Sequence, residues 1–125
     1  VHWSPMLTEW SDSILVSELA DEPSLSGELS NLHERYAGGI SNPGRAHKHL
    51  VLNLSGVTYV SSSHLAQLLR LRKQVTDHHR IMILCSLTDH VWSVMLLTGL
   101  DRVFRFAQDP SSALTAIQLE CNENA

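Results

Sequence analysis

Aromatic residues make up only 6% of the 125 residues, and no apolar run exceeds the stretch Ile81–Cys85. A membrane-crossing helix needs about 20 consecutive apolar residues, so no membrane insertion is expected. No charged-then-apolar leader precedes the first strand pattern, and the chain opens on Val1. Two cysteines are too few for a disulfide framework, and Cys85, closing the apolar run, reads as a buried, inert thiol. A cytoplasmic home is expected on these grounds. Basic charge is also short: 9 Lys and Arg stand against 13 Asp and Glu. The resulting net charge of −4 leaves no global basic field to draw in nucleic acid. The phosphate-cradling glycine loops of nucleotide-binding proteins are missing, and Gly38-Gly39 follows a helical pattern instead of preceding one. There is no G-x-S-x-G elbow, and Ser62 and His64 stand too close at a helix start for the ring to meet the hydroxyl. Neither an enzyme nor a cofactor is expected.

A 43% hydrophobic content in a chain of this length predicts one domain with a real core. Ile14–Leu19 reads as a strand, with a weaker one between Pro5 and Trp10. Ser24 then stands as an N-cap, and Leu25, Leu29, Leu32 and Tyr36 recur at helical spacing. After a loop over Ser41–Arg45, Leu50–Leu54 forms a buried strand, and Val57–Val60 continues extended. The triplet Ser61-Ser62-Ser63 caps a second helix, with Leu65, Leu68, Leu69 and Val75 inward, Arg70 and Lys73 on the other face and Arg72 nearby. Ile81–Cys85 is the next strand, and Thr88 or Asp89 caps a third helix that Gly99 ends. Val103–Phe106 is the last strand, and Asp109-Pro110 opens a fourth helix that buries Ala113, Leu114 and Ile117. Such alternation predicts an α/β fold: a small, mostly parallel sheet with right-handed crossovers and about four helices, which cover one face better than the other.

Three stretches carry a resemblance. Leu50–Val60, LVLNLSGVTYV, is similar to the core strand and its continuation in the STAS family of sulfate transporters and anti-sigma factor antagonists. Ser61–Leu65, SSSHL, stands where that family has D-S-S/T-G-L, and Leu97–Phe104, LTGLDRVF, resembles the end of its third helix. The recognisable part runs over 50–117; upstream only the order of elements agrees. Three positions depart from the pattern: Ser61 for aspartate, His64 for glycine and Asn53 for an aspartate often found there.

The resemblance implies an anti-sigma factor antagonist that holds an anti-sigma factor serine kinase and releases it once phosphorylated. Ser62 aligns with the phosphoacceptor. The implied partner surface comprises Ser61, Ser62, Ser63, His64, Arg70 and Lys73. The alternative is a non-switching STAS scaffold or accessory subunit, stressosome-like or lipid-transport-like, and a third reading is a domain of a longer chain. On the residues alone, three serines before a helix need no cause beyond capping, and Arg70 and Lys73 suit any solvated helix face. The eight histidines include the pairs His47/His49 and His78/His79, neither with a nearby partner at zinc-ligand spacing, so no metal is expected. Trp92 reads as core packing or as a partner contact.

Overall fold

The computed structural model describes residues 7–9, 13–37 and 47–123. Its elements are β1 (Leu7–Glu9), β2 (Ile14–Ala20), α1 (Leu25–Ala37), β3 (His49–Gly56), α2 (Ser62–Asp77), β4 (Met82–Cys85), α3 (Asp89–Thr98), β5 (Arg105–Ala107) and α4 (Pro110–Glu123). The strands lie side by side in chain order; β1 is antiparallel to β2, and every other pair is parallel. Each parallel connection therefore crosses over through a helix, as the alternation predicts. β1 falls inside the weak strand expected between Pro5 and Trp10, while Trp3, Trp10, Gly38-Gly39 and the loop Ser41–Arg45 lie outside the described residues.

Because side chains alternate along a strand, β3 and β4 divide their apolar residues between two faces. Leu50, Leu52, Leu54, Met82 and Leu84 meet α1, α2 and α3 in the larger core. Val51, Ile83 and Cys85 meet Ala113 and Ile117 of α4 in the smaller one. The uneven cover expected from the sequence is thus three helices against one.

Four local expectations change. Val57–Val60 leaves the sheet, with Val57 and Val60 buried as anchors of the loop into α2. In α2 the inward residue after Leu68 is Leu71, fully buried, whereas Leu69 faces out at 37% exposure. One helix face accommodates steps of three or four, so the stripe that includes Leu68 and Val75 selects Leu71. The last strand starts at Arg105, not Val103. Gly99, left-handed at φ 76°, ends α3, and one 3-10 turn over Leu100–Arg102 follows before pairing with β4 begins. Ser24 does stand at the N-cap of α1, its carbonyl accepting the Glu28 N–H at 2.9 Å, but the Ser26 N–H is accepted by the Glu22 carboxylate at 3.3 Å and not by the Ser24 hydroxyl.

Gly56 is a steric requirement. A Cβ there would stand 2.9 Å from the Leu19 carbonyl oxygen, where β2 and β3 draw together.

The inverted leucines give a direct test. Leu71→Ala should cost about 2–5 kcal/mol, and Leu69→Ala within about 0.5 kcal/mol, in urea unfolding. Equal losses would contradict the observed burial.

Candidate functional site

The loop leaving β3 leads into the serine triplet at the start of α2, and it is held from both sides. From the β2–α1 connection, Asp21 accepts the Thr58 N–H at 2.8 Å, the Thr58 hydroxyl at 2.7 Å and the Tyr59 N–H at 3.4 Å. The Asp21 N–H in turn donates to the Gly56 carbonyl at 3.2 Å. From the other side the Thr88 hydroxyl donates to the Val57 carbonyl at 3.0 Å. Thr88 does occupy the N-cap position of α3, as expected, but its hydroxyl ties two loops together and makes no cap bond. The bonds from Thr58, its hydroxyl foremost, hold the Asp21 carboxyl below its ordinary value.

Capping of α2 falls to Ser61. Its hydroxyl accepts the His64 N–H at 3.2 Å, and the Ser61 N–H donates to His64 Nδ1 at 3.0 Å, closing a reciprocal capping box. Since Nδ1 accepts, the neutral imidazole carries its proton on Nε2. That proton points to Glu22 Oε2 at 2.6 Å. Glu22 also receives the Ser26 hydroxyl, so one carboxylate joins the first turns of α1 and α2. The Ser26 hydroxyl first, then His64, lowers the Glu22 carboxyl from its ordinary value.

Ser62 and Ser63 are left with exposed side chains in the first turn of α2, at its N1 and N2 positions. The cap assigned to the triplet as a whole is therefore made by its first member. His64 departs further from expectation: at 4% exposure it is buried, not part of an outer surface. The reason is helical spacing, because His64 precedes Leu68, Leu71 and Val75 on the inward stripe. That spacing is present in the sequence, whereas the resemblance, which sets His64 where the family has glycine, places it on the partner surface.

At about 100° per residue, Ser62, Leu69, Arg70, Lys73 and Asp77 share the outer face of α2. All are exposed, and Lys73 pairs with Asp77 at 3.0 Å. An exposed pair of this kind adds little stability. Beside the loop, Tyr59 is 60% exposed and stacks on His90. Trp92 combines its two expected roles, meeting Phe106 edge-on while remaining 38% exposed. His47 and His49 separate: His47 stacks on His78, while His49 accepts the Ile81 N–H. Among the described residues no group of three or more His, Cys, Asp or Glu side chains converges as a metal site, and no helix is long and apolar enough to cross a membrane.

This architecture, with the serine-bearing helix start behind the central strand, agrees with a family profile. The profile of the STAS domain matches residues 8–113. The chain belongs to the STAS domain family. The same STAS fold occurs in an anti-sigma-factor antagonist domain protein from Planctomyces limnophilus, 20% identical, covering 90% of this chain and 96% of that one at a TM-score of 0.72. RsbS from Moorella thermoacetica is 19% identical over 93% of this chain and 98% of its own, also at 0.72. The phosphorylated form of the Bacillus cell fate determinant SpoIIAA is 15% identical over 89% and 96%, at 0.62. At these identities the likeness speaks for the STAS fold, and the sites are argued from this chain's own residues.

Ser61→Ala should cost about 1 kcal/mol in urea unfolding and Ser62→Ala less than about 0.5 kcal/mol, because only Ser61 caps. Asp21 has its folded pKa depressed, so its stabilisation is complete above the ordinary value of 3.8 and is lost as pH falls through the lower folded value. Asp21→Asn should therefore flatten the loss of thermal stability in that acid range. An unchanged acid limb would mean that the Thr58 bonds do not hold in solution.

Proposed function

We propose that this STAS domain is an anti-sigma factor antagonist that works by binding and not by catalysis. Its partner is an anti-sigma factor serine kinase, and phosphorylation of Ser62 ends the association. The observation that carries the reading is the division of labour in the triplet: Ser61 makes the cap, so the exposed Ser62 hydroxyl is not needed by the fold. Two acids also serve this helix start. Ser61 lacks the carboxylate usual at its position, but Asp21 bonds to the loop ahead of it and Glu22 to His64 behind it.

The partner surface consists of Ser61, Ser62 and Ser63 with Arg70 and Lys73 on the outer face of α2. His64 acts from beneath, through the capping box and Glu22. A phosphate adds about −1.5 to −2 charge at neutral pH. At a helix N-terminus the dipole favours such charge by about 0.3–1 kcal/mol, so the modified domain stays folded. The switch then acts in the interface: a hundredfold loss of affinity needs only about 2.8 kcal/mol, within reach of one desolvated charge.

The test compares the native domain with Ser62→Asp as baits in lysate of the source cells, with ATP-dependent labelling at Ser62 followed by mass spectrometry. A kinase-type anti-sigma factor held by the native bait, lost by Ser62→Asp and able to label Ser62 is the expected outcome. Identical partners on both baits and an unlabelled Ser62 would instead mean a non-switching scaffold or accessory subunit.

A further inference from the structure

Behind the sheet, at the opposite end of β3 from Ser62, a second pair of groups meets. His49 opens β3 at 8% exposure, and its Nδ1 accepts the Ile81 N–H at 3.0 Å. That bond fixes the neutral tautomer with the proton on Nε2. Burial first, then Arg80, lowers the imidazole pKa and so favours the neutral ring. Nε2 stands 3.3 Å from Cys121 Sγ. With the proton on nitrogen, the sulfur is the acceptor, and its own S–H is not used in the contact.

Cys121 continues the inner stripe of α4 after Ala113 and Ile117, both fully buried. It lies where β3 begins and the sheet gives out, so it remains exposed. The neighbouring carboxylate of Glu120 is engaged by Arg105. A sulfur open to solvent on one side and met by a buried N–H on the other suits a nucleophile, because a hydrogen bond to an anion is stronger than one to a neutral group. Cys85 lies within the sheet, where desolvation pushes its thiol up to about 11.

We infer that Cys121 is a thiol-exchange site for low-molecular-weight disulfides, with His49 as its positioning residue. The thiol proton leaves to solvent base. The thiolate attacks one sulfur of the disulfide, a new S–S bond forms to Cys121, and the old S–S bond breaks with its electron pair leaving on the other thiolate. The product is a mixed disulfide on the last turn of α4, and the only oxidant consumed is the disulfide itself.

The reduced full chain is incubated with glutathione disulfide at neutral pH, and the adduct is mapped and timed by mass spectrometry. The expected result is one adduct on Cys121, none on Cys85, and faster exchange in the folded chain than in urea. His49→Asn keeps an acceptor for the Ile81 N–H but has no atom in the place of Nε2. With the thermal midpoint preserved, it should slow exchange about tenfold, the kinetic counterpart of one hydrogen bond to a charged group. Equal rates in native and His49→Asn, or exchange no faster folded than unfolded, would overturn the inference. If His49→Asn does not fold, the folded-against-urea comparison of the native chain decides alone.

Discussion

The fixed position of the loop between β3 and α2 is the constraint on which the rest of the site depends. Asp21 grips its outer side at Thr58 and Tyr59, Thr88 grips the carbonyl of Val57, and Val57 and Val60 are sunk into the core. A loop held only by apolar anchors would be free to twist about them. The charge-assisted bonds to Asp21 remove that freedom, and such bonds are stronger than neutral ones. Fixing this loop fixes where α2 begins, and so which serine caps and which is presented.

His64 illustrates how a residue that looks obstructive becomes a support. A ring in place of the family's glycine reads as bulk added to an open surface. In the fold it lies on the buried stripe with Leu68, Leu71 and Val75, and both its nitrogens are satisfied. A buried imidazole without partners would be costly. Here Ser61 serves one nitrogen and Glu22 the other, so the substitution links α1 to α2 without covering Ser62. The departures at Ser61 and His64 are therefore structurally coupled: the serine supplies the cap and the histidine completes it.

The sheet also separates two kinds of chemistry. The Ser62 region follows the end of β3, whereas His49 and Cys121 meet at its start, on the face covered by α4. Eight residues of strand at about 3.3 Å each lie between the two ends. A charge introduced at one end is more than a Debye length from the other at physiological salt, which is about 8 Å. The two places are thus electrostatically independent to a first approximation, and a group added at Cys121 does not bear directly on the charge at Ser62.

Most of the architecture was legible in the sequence, because periodicity records burial. The stripe Leu25–Leu29–Leu32–Tyr36, the run Ile81–Cys85 and the glycine after α3 each led to the element observed. Periodicity failed where neighbouring apolar residues compete for one face, as Leu69 and Leu71 do; at His64 the helical spacing agrees with burial, and the resemblance alone placed the ring outside. The family was also legible, in three short segments. Asp21, Glu22, Thr88 and Cys121 carried no such signal. Their partners lie 37 residues away for Thr58, 42 for His64, 31 for Val57 and 72 for His49. The sequence alone determined the order of elements and the position of Ser62, since both rest on local spacing. Only the tertiary structure decided that Ser61 and not Ser62 holds the helix, and which distant carboxylates stand beside it, because parallel crossovers bring together groups that no local pattern connects.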